Sequence, residues 1–184
     1  MAMDRGGARD IQRISRRWLT WGWAAWLLLV PFRALTQPFR TVQEHFLGIP
    51  ETVLPLGSSA NRQRYLQQAL VDTDHGYIRY QAKDNPERFE FAIFRKRNGQ
   101  YLAAFSVPYN PNFGDRPGKS LLLLLDYQQG QWRNVTRQLL PVPFDPTLTY
   151  QLPRVGRDVV VVNARNQRLY RLRWQDDRFI HLPL

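Results

Sequence analysis

The sequence predicts a mainly β fold, in which an antiparallel meander closes as a barrel, a sandwich or blade-like sheets. One or two helices and an N-terminal apolar targeting helix are predicted to precede it. Three observations lead to this prediction. Beyond residue 76, apolar residues tend to recur at every second position, the repeat of a strand with one buried face. About nine such segments follow one another at short spacing. Turn-forming residues separate them, including Asn98-Gly99, which is typical of a two-residue hairpin turn.

The N-terminal segment, residues 1–36, is predicted to be a signal peptide or a membrane anchor. Arginines precede a run without charge from Trp18 to Phe32, and a basic flank followed by an apolar helix directs a chain into the bilayer. A helix over this run spans about 22 Å, less than the bilayer core. If the helix continues to Leu35, residues 18–35 can stay in the membrane uncleaved. Both alternatives place the rest of the chain in the cell envelope, either in the periplasm or anchored to the inner membrane.

Residues 37–60 are interpreted as a linker, because prolines, glycines and serines interrupt any regular pattern there. One short helical turn is expected near Val42–Phe46. A helix from Arg62 to about Val71 follows, with Asn61 as its cap. The β-rich domain is assigned to residues 61–184.

Nine strand segments are predicted in this domain. The run Leu121–Tyr127 contains five consecutive leucines, which indicates a strand covered on both faces. Trp132 and Trp174 each occupy an alternating apolar position within a strand segment and are expected to be buried. The segments are residues 77–80, 89–95, 101–107, 121–127, 131–136, 148–152, 158–163, 168–174 and 178–182.

Three stretches of the domain resemble a domain found in uncharacterised bacterial exported proteins. They are Asp72–Ile78, Phe94–Gly99 and Gln129–Thr136, the last followed by Leu140-Pro141. In that family a Gly-x-Trp-x-Asp-Val-Thr pattern with a downstream Leu-Pro follows a hairpin with an Asp-Gly turn. Asn134 stands here where the pattern has Asp. The resemblance implies a fold and an exported location, and it implies no activity.

The composition excludes several kinds of site. The chain of 184 residues contains no cysteine, which rules out disulfides, thiol catalysis and thiolate metal sites. Its formal net charge is +11, of which residues 1–40 carry +5, so the downstream domain is moderately basic.

No catalytic, cofactor or metal site is predicted. His45, His75 and His181 lie far apart in the sequence, without the spacing of metal ligands on one element. No serine occurs in a Gly-x-Ser-x-Gly motif. These features favour a non-enzymatic envelope module that binds another molecule. The alternative is an envelope hydrolase whose catalytic residues are brought together only by folding.

A cluster of arginines near the C-terminus is the predicted binding surface. On a strand, Arg171 and Arg173 share one face, whereas Leu172 and Trp174 share the other. Such a cluster attracts an anionic lipid, a cell-wall polymer or an acidic protein, or is simply a solvated sheet face. Arginine beside aromatic residues also binds single-stranded nucleic acid, so a cytosolic nucleic-acid-binding protein is a further alternative, although the predicted export argues against it. The cluster consists of Arg165, Arg168, Arg171, Arg173 and Arg178.

The full-length chain is expected to sediment with membranes or to appear in the periplasm, because of its basic flank and apolar run. Replacing Leu28 by arginine should reduce this targeting, since a charge at the centre of such a helix costs about 2.5–3.5 kcal/mol on insertion. Cell fractionation after gentle lysis measures both. A parent chain found in the soluble cytosolic fraction would contradict the prediction.

Overall fold

Ten strands and three short helices make up the part of the chain that the computed structural model describes, residues 38–84, 87–110 and 118–184. The strands form one six-stranded and one four-stranded sheet, both antiparallel. The prediction of a mainly β fold is therefore confirmed. The helices are α1 (Val42–Gly48), α2 (Ser59–Gln68) and α3 (Thr136–Leu139). The strands are β1 (Leu70–Asp72), β2 (Tyr77–Gln81), β3 (Arg88–Arg95), β4 (Tyr101–Asn110), β5 (Lys119–Gln128), β6 (Gln131–Asn134), β7 (Thr149–Gln151), β8 (Asp158–Val162), β9 (Arg168–Gln175) and β10 (Arg178–Pro183).

Each of the nine predicted strand segments corresponds to one of the strands β2 to β10. The strand β1 lies where the sequence predicts the end of a helix. There Leu70 and Val71 pair with Arg79 and Ile78 of β2, so pairing with the sheet replaces the last helical turn. The helix α2 correspondingly begins and ends earlier than predicted, and Ser58 caps it by accepting a hydrogen bond from the backbone N–H of Asn61.

Two-residue turns set the register of two hairpins of the meander, β5–β6 and β9–β10. Between β9 and β10, Asp176 and Asp177 both have a positive φ, 53° and 60°, which is the geometry of a type I′ turn. Gln129 and Gly130, with φ of 51° and 82°, connect β5 and β6 in the same way. Because such a turn fixes which residues lie opposite each other, it also fixes which side chains face the core.

The six-stranded sheet is buried on both faces, as the leucine run of β5 predicts. Leu122 and Leu124 belong to a core shared with the four-stranded sheet. Leu125 belongs to a second core on the opposite face. The strands of the larger sheet follow one another in chain order from β1 to β6, and those of the smaller sheet lie in the order β10-β9-β8-β7.

The segment interpreted as a linker contributes a helix to the second core. In α1, Val42 and Phe46 are fully buried, and Phe46 contacts Phe89 and Phe91 of β3. The helix begins with a capping box, in which Thr41 and Glu44 accept each other's backbone N–H bonds at 3.2 Å. Packing against the sheet stabilises a helix that is too short to form alone.

The guanidinium group of Arg62 joins α1 to α2. Its side chain is buried, and it donates hydrogen bonds to the carbonyl oxygens of Leu47, Ile49 and Gly57, at 3.0 Å for Leu47 and 2.6 Å for Gly57. The Leu47 carbonyl lies in the last turn of α1, where intrahelical partners are missing. Burial lowers the pKa of Arg62. These hydrogen bonds connect α2 to the C-terminal end of α1.

Both predicted core tryptophans are buried. The ring of Trp174 lies between Phe94 and Phe179, with centroid distances of 5.8 and 5.1 Å, and its Nε1–H donates to the Arg95 carbonyl at 3.0 Å. Trp132 lies on the other face of the larger sheet, where its Nε1–H donates to the Gly48 carbonyl at 3.0 Å. Each indole therefore connects the six-stranded sheet to one of the layers that cover it.

The predicted targeting segment, residues 1–36, lies outside the described residues and stays a prediction. Within the described ranges, every helix is too short or too polar to cross a bilayer.

Replacing Trp174 by alanine should lower the free energy of unfolding by about 3–5 kcal/mol, because the change leaves a cavity in the core between the sheets. Replacing Val155 by alanine is the control, since that side chain is 68% exposed and surface changes usually cost less than about 0.5 kcal/mol. Chemical denaturation of the two variants and the parent measures the difference. A near-neutral Trp174→Ala would mean that this ring does not support the core.

Acid should weaken the ion pair between Asp72, at the end of β1, and Arg154, just after β7. The Arg154 Nε lies 2.7 Å from Asp72 Oδ2. Hydrogen bonds from Arg154 and His75 lower the pKa of Asp72 from 3.8 to about 2. Because the pKa is lowered in the folded state, the ionised Asp72 carboxylate adds to the free energy of unfolding above pH 3.8, and this contribution is lost as the pH falls through 2. Asp72→Asn should therefore be less stable than the parent near neutral pH, and the two should converge toward pH 2.

The matched control is Asp74→Asn, in the same turn, because Asp74 forms no ion pair with another described residue. Urea denaturation across this pH range measures the stabilities. A constant difference between Asp72→Asn and the parent at every pH would refute the assignment.

Candidate binding surfaces

The outer face of the four-stranded sheet carries two of the predicted arginines. Because Leu172 and Trp174 belong to the core between the sheets, Arg171 and Arg173 project from the opposite side of β9. Their side chains are 40% and 46% exposed. The outer face is defined here by Asp158 and Val160 of β8, Arg171 and Arg173 of β9, and Ile180 and Leu182 of β10.

Aliphatic side chains flank both arginines on this face. The register places Arg171 between Val160 and Leu182, and Arg173 between Asp158 and Ile180. The last paired residues of β9 and β10 are Tyr170 and Pro183. An exposed leucine lies next to each of them in the chain. These leucines are Leu169, 42% exposed, and Leu184, 67% exposed. The outer face is therefore both cationic and apolar, which the arginine pattern alone does not indicate.

One carboxylate is shared by both arginines. Arg173 donates from Nε and Nη2 to the two oxygens of Asp158, at 2.8 and 2.9 Å, and Arg171 Nη1 donates to the same group at 3.2 Å. The hydrogen bonds from Arg173 lower the pKa of Asp158, so this carboxyl stays ionised. The three side chains together carry one net positive charge.

The other three predicted arginines lie at the ends of strands. Arg165 lies in the turn between β8 and β9, where its backbone N–H donates to Asn163 Oδ1 at 2.9 Å. Arg168 begins β9 beside a bulge. Arg178 begins β10 opposite Gln175 and is exposed. By strand alternation Arg178 shares the side of Arg173, whereas Arg165 and Arg168 lie at the far end of the hairpin.

A cleft of about 360 Å³ opens between the two sheets. One wall comes from β2, β3 and β4, and the other from β7 and the turn between β8 and β9. We call it the inter-sheet cleft. Its lining includes the polar side chains of Arg79, Arg88, Glu90, Ser106, Gln151 and Asn166.

Glu90 lies in the cleft with both carboxylate oxygens engaged. Oε1 accepts from the Tyr77 hydroxyl at 3.0 Å, and Oε2 accepts from the backbone N–H of Leu152 at 2.7 Å. Burial raises the pKa of Glu90, although these two hydrogen bonds and the nearby Arg79 oppose the shift. The carboxylate thus ties the larger sheet to the end of β7.

The histidines are placed in three separate elements: α1, the turn between β1 and β2, and β10. His45 is buried, with its Nδ1 2.7 Å from the Thr41 carbonyl, and burial lowers the pKa of His45. The hydroxyl of Ser106 donates to the Tyr150 carbonyl. The described part of the chain contains no group of three or more acidic or histidine side chains that could hold a metal ion.

Sequence reasoning identified the arginines of the outer face and missed the cleft, whose residues come together only through strand register. Comparison of the chain with protein-family models, curated proteins and solved structures finds no match.

Proposed function

We propose that this chain is a non-enzymatic module of the cell envelope that docks on an anionic phospholipid bilayer through the outer face of its four-stranded sheet. The observation that carries the proposal is the interleaving of Arg171 and Arg173 with partly exposed aliphatic side chains on the outer face. Guanidinium groups bind phosphate oxygens. Moving aliphatic side chains out of water lowers the free energy of the system. A bilayer surface offers both partners at once.

The charge of the outer face suits a moderate, reversible contact. Each basic residue near an anionic membrane contributes about 1 kcal/mol. Asp158 offsets part of that attraction, because it is hydrogen-bonded to both arginines. Such a contact is useful to a domain that is already held near the membrane, since tethering raises its effective concentration there. Residues 18–35 would supply that tether if the predicted N-terminal segment is not cleaved.

The absence of cysteine from the chain allows a direct test. A cysteine in place of Gln175, which is exposed and lies on the side of Arg173, carries one environment-sensitive fluorophore. The full-length chain is mixed with vesicles that contain either anionic or only neutral phospholipid. Anionic vesicles should shift the emission to the blue, and high salt should reverse the shift by screening the attraction.

Charge variants of the labelled chain should change the vesicle affinity in opposite directions. The double variant Arg171→Gln, Arg173→Gln should weaken the salt-sensitive contact about 10- to 30-fold, and Asp158→Asn should strengthen it about 5-fold. The matched controls are a label at the exposed Gln131 of β6, and the double variant Arg133→Gln, Arg137→Gln, which removes the same charge elsewhere. Equal shifts at positions 131 and 175, or equal effects of the two arginine pairs, would overturn the proposal.

A further inference from the structure

Two arginines in the inter-sheet cleft have donors left for a ligand. Arg79 lies opposite Glu90, and Arg88 lies opposite Gln81, in the register of β2 and β3. They are therefore diagonal neighbours, about 7–8 Å apart at the backbone and within reach of one ligand group. Neither forms an ion pair with a carboxylate of the described ranges. Each guanidinium group offers five N–H donors in a planar fork that fits an oxyanion.

Among the described residues that line the cleft, Glu90 alone carries a carboxylate. Its two oxygens accept hydrogen bonds from Tyr77 and from the Leu152 backbone N–H, and it forms no ion pair with Arg79 or Arg88. It still lowers the local potential, because two guanidinium groups and one carboxylate leave one net positive charge. That charge matches a ligand with a single negative charge better than a dianion.

The opposite wall of the cleft is neutral and rich in amides. Asn166 has a left-handed backbone, with φ of 59°, and its Oδ1 lies 3.5 Å from Gln151 Nε2. A contact at this distance is weak, so the Asn166 Nδ2 and the Gln151 Oε1 remain as a donor and an acceptor. Groups of this kind bind hydroxyls.

We propose that the inter-sheet cleft binds a compact, hydroxylated monocarboxylate, with its carboxylate on Arg79 and Arg88 and its hydroxyls toward Gln151 and Asn166. The volume of about 360 Å³ is near the lower end for small-molecule sites and admits a molecule the size of a single sugar acid. This site does not depend on the lipid-docking proposal, because none of the residues proposed to hold the ligand is among those that define the outer face.

The test is isothermal titration calorimetry of the full-length chain in mild detergent. The probes are galacturonate, its neutral counterpart galactose, acetate, which lacks hydroxyls, and inorganic phosphate. Galacturonate should bind with the highest affinity of the four. Arg79→Gln and Arg88→Gln should each weaken its binding at least about ten-fold, because each removes a charge-assisted hydrogen bond.

Asn166→Gly removes the amide while keeping the left-handed backbone that glycine tolerates, and should weaken galacturonate binding about three- to ten-fold. The matched control is Arg133→Gln, in exposed β6, which should leave the affinity unchanged. Thermal unfolding of each variant checks that it is folded. Binding of galactose or phosphate as tight as that of galacturonate, arginine variants that bind like the parent, or a Kd above about 10 mM would each overturn the assignment.

Discussion

The six-stranded sheet is apolar on both faces, and the rest of the fold depends on covering it twice. In β5, Leu122 and Leu124 face one core and Leu125 faces the other. Each fully buried leucine contributes about 1.5–3 kcal/mol relative to an exposed one, and a bare face of this composition would be a large apolar patch. The four-stranded sheet covers one side, and α1 with α2 covers the other. The residues directly after the predicted targeting segment are for this reason part of the folded structure.

Polar side chains connect the layers at the points where backbone groups lack partners. Trp132 and Arg62 donate to carbonyls at and just beyond the end of α1, and Trp174 donates to the Arg95 carbonyl at the end of β3. Glu90 accepts the N–H of Leu152 just beyond β7. A buried backbone group left without a partner costs about 1–3 kcal/mol, so each contact also specifies where one layer lies on the next.

The strands were predictable because the period of two, the hairpin turns and the leucine run are local signals. The helix α1 was predicted only as a short helical turn within a linker, because Pro38, Pro50 and Pro55 gave its segment the composition of a linker. Its capping box, Thr41 with Glu44, was the signal that could have identified it. The outward position of Arg171 and Arg173 followed from strand alternation. The meeting of Arg79 with Glu90, and of both with the turn after β8, depends on register and on packing between sheets, which no local pattern specifies.

The two candidate surfaces contain the same charges in different arrangements, and the difference decides how strongly each can attract an anion. On the outer face, Asp158 bonds directly to Arg171 and Arg173, so an incoming phosphate must compete with a carboxylate that is already in place. In the cleft, Glu90 bonds instead to Tyr77 and Leu152, which leaves the donors of Arg79 and Arg88 available. An anion that binds the outer face must therefore displace Asp158 from the arginines. An anion that binds Arg79 and Arg88 in the cleft displaces only water from them. For equal net charge, the cleft is the surface better suited to hold one small ligand, whereas the outer face is suited to a broad contact made of many weak ones.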